Sequence, residues 1–185
     1  MDRWTVIGRR VEQEDRLTVQ RTWLWAERLG RPALLLDFAV PGGTLERALT
    51  PGLSVEAELV FYPGAVRLRG LLKERRGPFE NPAHLPGFTI RDATAGYADA
   101  LGRNPWLERW PLLIAPVTLT VIEQRWYVQD ADGRVMRLAP HFSAGWRLLA
   151  IGGGQPFTLI GEWDGIYLMP LSAQFGERLI TFGAG

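Results

Sequence analysis

Histidine and cysteine, the side chains that most often carry nucleophilic or metal chemistry, are scarce in this sequence. It holds two histidines and no cysteine. His84 lies in a proline-rich stretch, and His141 stands between Pro140 and Phe142. Neither occupies a Gly-x-Ser-x-Gly or similar setting, and two distant histidines fall short of the roughly three or four ligands of a zinc site. We predict a non-enzymatic protein with no catalytic, metal-binding or cofactor-binding residue.

Two other patterns resemble parts of active sites but have a simpler interpretation. A glycine run at 152–154 follows a predicted strand, whereas a phosphate-binding loop must lead into a helix. The segment 155–160 that follows is typical of a strand. Glu56 and Glu58 share one face of a strand, as paired carboxylates do. We expect a flexible hairpin connection at 152–154 and a solvated pair of glutamates.

Positive charge is concentrated in the segment Arg67–Arg76, here called the basic stripe. Its sequence, RLRGLLKERR, places five basic residues and one acidic residue in ten positions; the basic ones are Arg67, Arg69, Lys73, Arg75 and Arg76. Strand periodicity sets Arg67 and Arg69 side by side. Such a stripe suits a phosphate backbone, with tryptophans available for base stacking. The interpretation that we favour is a solvated strand edge, where charge guards against aggregation.

The composition of the whole chain argues against a highly charged partner such as nucleic acid or an anionic membrane. Among 185 residues, 21 are basic and 20 acidic, which leaves a net charge of +1. This balance gives no general attraction to nucleic acid or to an anionic membrane, so we expect nucleic-acid binding to be weak. The absence of cysteine excludes disulfides, thiolate zinc sites, iron–sulfur clusters and a cysteine nucleophile.

No targeting or membrane segment is recognised. The first residues lack the basic and apolar regions of a signal peptide. The longest apolar stretches, such as 112–117, are much shorter than the ~18 residues that span a bilayer. We expect a cytoplasmic protein without membrane contacts.

Alternating apolar and β-branched residues predict strands at both ends of the chain. In the first region the predicted strands are 16–26 and 33–40, then 55–61 and 65–72 around a Pro63-Gly64 turn. A short helical turn is predicted at 44–49. In the second region the strands are 117–122, 125–129, 134–138, 146–151, 157–163 and 166–171, with Asp164-Gly165 as a type I′ turn.

Between these regions the pattern changes to that of a helix. A proline-rich loop covers 77–87, and Thr89 with Asp92 resembles a capping box. Apolar residues at helical spacing predict a helix over 90–101, with Gly102 as its C-cap. A further short turn is predicted near 105–110, with Pro105 at its first position.

These elements predict a mainly β protein, bordering on α+β. Two antiparallel β-rich regions, 1–77 and 112–185, barrel- or sandwich-like, are bridged by a Pro-rich loop and short helical connector at 78–111. Whether the two regions form one domain or two stays open. The sequence contains eight tryptophans, and large aromatic side chains dominate protein cores. We expect burial of Trp23, Trp25, Phe38, Phe61, Trp126, Trp146 and Trp163.

Several strings of the sequence together resemble one family. They are QRTWLW (20–25), ALLLDFA (33–39), AELVFYPGA (57–65), NPWLERW (104–110) and GEWDG (161–165). As a set they resemble the long C-terminal region of bacterial SWIM zinc-finger proteins. The finger of that family is a Cys-x-Cys…Cys-x-His knuckle, and a chain without cysteine has none of it. The resemblance therefore implies the region downstream of the finger.

Two hypotheses for function follow. The first is a non-enzymatic protein-interaction or scaffolding module that binds a protein partner, because no chemical site is found and aromatic residues are abundant. The second is an accessory module that binds nucleic acid through the basic stripe, a hypothesis that also rests on analogy with the family.

Overall fold

The computed structural model describes residues 1–41, 43–45 and 48–182. It is mainly β, as predicted, with two sheets. The chain forms two compact units, Met1–Ala83 and His84–Phe182. The predicted connector at 78–111 spans the boundary between them, and its helix belongs to the second unit.

The first unit is a ring of strands. Going round the ring, β1, β2, β3, β5 and β4 are neighbours, and β4 pairs with β1 again. All pairs are antiparallel except β3 with β5. The strands are β1 (Asp2–Glu14), β2 (Leu17–Ala26), β3 (Arg31–Ala39), β4 (Ser54–Phe61) and β5 (Arg69–Glu80).

Both predicted hairpins of this unit are present. The sequence pattern does not predict β1, and β5 continues through Gly77–Glu80, where the pattern predicts a loop. Arg67 lies before β5 rather than within it, so strand periodicity does not position it beside Arg69. The helical turn predicted at 44–49 includes residues outside the described ranges.

The inside of the ring is a small apolar core. Strand alternation places Leu24 and Ala26 of β2 in it, together with Trp4, Val6, Ala33, Leu35, Leu49, Val55 and Ala57. Trp23 and Trp25 are also buried, as predicted. Phe38 is 51% exposed, so its predicted burial is wrong. It follows Leu35 by three positions and therefore points to the opposite face of β3.

The second unit is a six-stranded antiparallel sheet with two helices. The strand order is β11-β10-β9-β6-β7-β8. Its elements are α1 (Ile90–Arg103), β6 (Trp110–Ile122), β7 (Arg125–Asp130), β8 (Val135–Arg137), α2 (Gly145–Gly152), β9 (Phe157–Trp163), β10 (Leu168–Phe175) and β11 (Arg178–Thr181).

Helix α1 begins as the sequence predicts. Thr89 is its N-cap and accepts a hydrogen bond from the Asp92 amide at 3.1 Å. Its predicted end at Gly102 is wrong, because the chain stays helical to Arg103 and Asn104 is the C-cap. The amide of Asn104 donates to the Ala100 carbonyl, which continues the helical hydrogen-bond pattern past the glycine.

Helix α2 replaces the strand predicted at 146–151. Gly145 and Leu148 are buried three positions apart, on one face of the helix. A Cβ on Gly145 would lie 2.1 Å from the Trp126 ring, so only glycine admits this contact. The helix leaves Trp146 69% exposed, edge-on to Trp126, and its predicted burial is wrong. The glycine run at 152–154 ends this helix instead of joining two strands.

The turn between β9 and β10 also differs from the prediction. The Asp164 amide donates to the Tyr167 carbonyl, so the two central residues are Gly165 and Ile166. Only Gly165 has a positive φ, of 94°, whereas a type I′ turn needs two such residues. The carboxylate of Asp164 accepts hydrogen bonds from the Ile166 and Tyr167 amides instead.

A buried carboxylate connects two elements of the second unit. Asp130, at the end of β7, accepts backbone hydrogen bonds from Ile90 at 2.9 Å, Asp132 at 3.1 Å and Arg134 at 2.9 Å. Ile90 is the first residue of α1, where amides have no partner within the helix. Asp130 thus joins the start of α1 to the β7–β8 turn.

We predict that Asp130→Ala lowers the free energy of unfolding by about 3 kcal/mol, because three amides lose a charged acceptor. Urea unfolding followed by tryptophan fluorescence measures this change. Asp132→Ala is the control: its side chain is exposed, so we expect a loss below about 0.5 kcal/mol. Equal losses in the two variants would contradict the role of Asp130.

Candidate functional site

Strand β5 carries most of the basic stripe between two different neighbours. On one side it pairs with β3 in parallel, over Leu34↔Arg69 and Leu35↔Gly70. On the other it pairs with β4 in an antiparallel ladder. All five basic residues of the stripe are exposed, but the structure gives the two ends of the stripe different surroundings.

The C-terminal end of the stripe is neutralised by nearby acids. The Lys73 ammonium donates to Glu58 Oε1 at 2.7 Å, and the Arg76 guanidinium pairs with Glu74 at 2.8 Å. Hydrogen bonding from Lys73 lowers the pKa of Glu58. The guanidinium of Arg75 stacks 4.8 Å from the centre of the Phe79 ring. Lys73 and Arg76 are therefore already matched by carboxylates.

A β-bulge brings the Lys73–Glu58 pair together. Glu58 lies opposite Glu74 and Leu59 lies opposite Leu72, so Lys73 is the extra residue on β5. Bulges re-aim side chains in this way. The sequence pattern assumes an unbroken period of two and does not reveal the bulge.

At the other end of the stripe, the cations have aromatic partners. The Arg69 guanidinium lies 5.0 Å from the Tyr62 ring centre and 6.0 Å from that of Phe38. Arg31 lies 4.5 Å from the Phe61 ring centre. Burial, and then the charge of Arg67, lower the pKa of Arg31. Within the described ranges, Arg31, Arg67 and Arg69 form no ion pair.

Apolar side chains continue this surface along β4 and β5. Val60 and Leu71 are cross-strand partners and are 50% and 51% exposed. The next pair on this face is Tyr62 with Arg69, whose backbones hydrogen-bond at 3.0 Å. We call the surface formed by Phe38, Val60, Tyr62, Arg69 and Leu71 the clamp face.

Sequence reasoning found only Arg69 of the clamp face. The residues 59–62 are all apolar, so alternation cannot tell which of them point outward. The structure assigns Leu59 and Phe61 to the inner core and leaves Val60 and Tyr62 outside. Which residues of an all-apolar run face the solvent can be recognised only when the pairing of the strand is known.

A cavity of about 90 Å³ lies next to the clamp face, where β3 and β5 continue past their short ladder. Its walls include the exposed Leu71 and the buried Gln20, whose amide donates to Asp37 at 3.0 Å. The other lining residues are Arg9, Thr22, Leu35, Leu36, Ala48, Leu49, Gly70 and Leu72. The cavity has the volume of a few water molecules.

The remaining candidate residues do not come together into a site. His84 and His141 are both exposed. Glu58 pairs with Lys73, and Glu56 lies 3.6 Å from Arg28. Across residues 1–41, 43–45 and 48–182, no three His, Asp or Glu side chains are grouped to hold a metal ion. No helix in the same ranges is long and apolar enough to cross a membrane.

Comparison of the chain with protein families, curated proteins and solved structures found no match. The relationship to the SWIM zinc-finger proteins therefore stays a prediction from the quoted strings.

We predict that Lys73→Gln raises the pKa of Glu58 toward its ordinary value, because the variant removes the cation that stabilises the carboxylate. A ¹³C NMR titration of the side-chain carboxyl at low ionic strength measures the shift. Arg75→Gln removes a neighbouring cation that faces Phe79, and should leave the pKa of Glu58 unchanged. An unchanged pKa in Lys73→Gln would show that the pair does not form in solution.

Proposed function

We propose that this protein is a non-enzymatic protein-interaction or scaffolding module and that the clamp face is its contact surface. The observation that carries the proposal is the exposed pair Val60–Leu71 beside an arginine held between two aromatic rings. The pair remains half exposed, whereas Trp4, Trp23 and Leu24 of the same unit are almost completely buried. Covering it would remove apolar surface from water.

The composition of the clamp face is that of an interaction hot spot. Aromatic residues and arginine are enriched in the centres of protein interfaces, where a few such residues supply most of the binding energy. Tyr62 and Phe38 supply the rings, and Arg69 supplies hydrogen-bond donors that have no acidic partner among the residues described. The mixture suits a protein surface better than a small-molecule pocket.

The positions of these side chains also lower the cost of binding. Arg69 is held near two rings, and cation–π contacts of this kind favour one arrangement of a flexible side chain. Less conformational entropy is then lost when a partner binds. The strands below fix the backbone, because β5 pairs on both sides at this point.

We predict that Val60→Ser/Leu71→Ser abolishes recovery of a defined protein partner, because it removes the apolar centre of the clamp face. The test is a pull-down from the native source with quantitative mass spectrometry and crosslinking from a photoreactive residue at position 38, which is exposed and unchanged in the variants compared. At least a tenfold loss of the crosslinked partner, on the order of 1.4 kcal/mol, is expected.

The matched control is Val121→Ser/Ile122→Ser, which replaces two exposed apolar residues of β6 in the second unit. It should retain the partner. Both double variants replace exposed side chains and should fold. A partner recovered equally by the wild type and the clamp-face variant would refute this contact surface.

The second candidate function is an accessory module that binds nucleic acid through the basic stripe. It is favoured by Arg67 and Arg69, which have no ion pair within the described ranges. It is weakened by the carboxylates on Lys73 and Arg76, because a paired cation releases fewer counterions from a polyanion.

We predict that a labelled oligonucleotide of about 20 residues binds with a dissociation constant no tighter than about 10⁻⁵ M at ~150 mM salt. The balanced net charge of +1 gives no sustained positive field. Fluorescence anisotropy of the wild type and of Arg67→Ala/Arg69→Ala measures this. Sub-micromolar binding that the double variant abolishes would make the stripe a nucleic-acid site.

Family and location complete the proposal. The module corresponds to the region downstream of the finger in SWIM zinc-finger proteins. This part of the proposal is supported by the five sequence strings that resemble that family. A cytoplasmic location is supported by the sequence pattern alone.

A further inference from the structure

The clamp face is bordered by positive charge that the described residues do not balance. Arg67 and Arg69 are exposed and unmatched by a carboxylate, and Arg31 lies near enough to Arg67 for that charge to lower its pKa. The nearest acids on β4 and β5, Glu58 and Glu74, are bound to Lys73 and Arg76. At this end of the stripe, no carboxylate of the described residues forms an ion pair with Arg31, Arg67 or Arg69, and the carboxylate of Asp37 on β3 accepts from Gln20 instead.

Charge and apolar surface lie side by side along the same two strands. On β5, Arg69 is followed two positions later by Leu71, and Tyr62, which directly follows β4, is preceded two positions earlier by Val60. Residues two apart on one face of a strand lie roughly 7 Å from each other. A short segment of chain can thus contact Arg69 and the apolar pair together.

We propose that the clamp face binds a protein segment in which acidic residues adjoin apolar ones. This inference rests on the proposed function and adds the chemistry of the partner. Carboxylates of the segment pair with Arg67 and Arg69, while its apolar side chains cover Val60 and Leu71. Arginine is the suitable cation, because its planar guanidinium binds a carboxylate through two hydrogen bonds and also stacks on rings.

The same surface is less suited to a nucleic acid. Proteins that bind single-stranded nucleic acid stack its bases on the faces of aromatic rings. On the clamp face, the guanidinium of Arg69 already lies against the ring of Tyr62. A phosphate backbone would also need a run of free cations, and carboxylates already pair with Lys73 and Arg76 within the stripe. The exposed Val60–Leu71 pair gains nothing from phosphate.

The test uses the full chain and a fluorescein-labelled peptide of four glutamates followed by Leu-Val-Phe-Leu. Two control peptides replace the glutamates by lysines or the apolar half by Ser-Thr-Asn-Ser, and a single-stranded oligonucleotide of about 20 residues is the competing ligand. Binding is followed by anisotropy and by backbone amide NMR shifts of β4 and β5. The protein variants are Arg67→Glu/Arg69→Glu and, as control, Arg134→Glu/Arg147→Glu, two exposed arginines of the second unit.

The acidic and apolar peptide should bind at least about tenfold more tightly than either control peptide. Arg67→Glu/Arg69→Glu should weaken it by at least about tenfold, and Arg134→Glu/Arg147→Glu should leave it unchanged. Weaker binding at higher salt is expected as well, because exposed charges are screened.

Three outcomes would overturn the inference. Equal binding of the lysine peptide would show that charge does not select the partner. Failure of the acidic peptide to shift any amide of β4 or β5 would show that this chemistry does not recognise the face. Tighter binding of the oligonucleotide, lost in Arg67→Glu/Arg69→Glu, would assign the cations to nucleic acid. In the first two cases the photocrosslinking result with Val60→Ser/Leu71→Ser still decides the proposed function separately.

Discussion

The clamp face depends on the parallel contact between β3 and β5. Two residue pairs, Leu34↔Arg69 and Leu35↔Gly70, close the ring of the first unit. They bring Arg69 between an aromatic ring from β3 and another from the end of β4. Phe38 lies on β3 and Tyr62 directly follows β4, and β5 with Arg69 lies between these two strands. Parallel ladders are slightly less stable per residue than antiparallel ones. The arrangement of the clamp face therefore depends on a short strand pairing of the less stable kind.

The brevity of that contact has a second consequence. Beyond Leu35 and Gly70 the two strands no longer pair, and a cavity of about 90 Å³ lies between them. Its interior is not purely apolar, because Gln20 and Asp37 hydrogen-bond within it. Buried polar groups need such partners. The clamp face thus lies beside the short ladder, and the cavity lies where the ladder ends.

The basic stripe shows why a count of charges does not define a site. Carboxylates of β4 and β5 satisfy Lys73 and Arg76, whereas rings accompany Arg69 and Arg75. A cation that stacks on a ring keeps its charge available to a carboxylate partner, because the ring offers only its quadrupole. An exposed ion pair in the same place would contribute little stability, but the charge of its cation would already be neutralised by the carboxylate. Within the described residues, the cations of the stripe without a carboxylate partner are therefore Arg67, Arg69 and Arg75.

The sequence by itself determined the strand-rich fold, both hairpins of the first unit and the start of α1 at Thr89, because alternation and capping are local properties. The positions of the basic residues in the stripe could also be read directly from the sequence. It did not determine which face of an all-apolar run is exposed, since Val60 and Leu59 look alike until strands pair. Nor did it identify α2, whose apolar residues fit a strand equally well until Gly145 packs against Trp126. Only the tertiary structure decided these features, because each depends on contact between residues that are distant in the sequence.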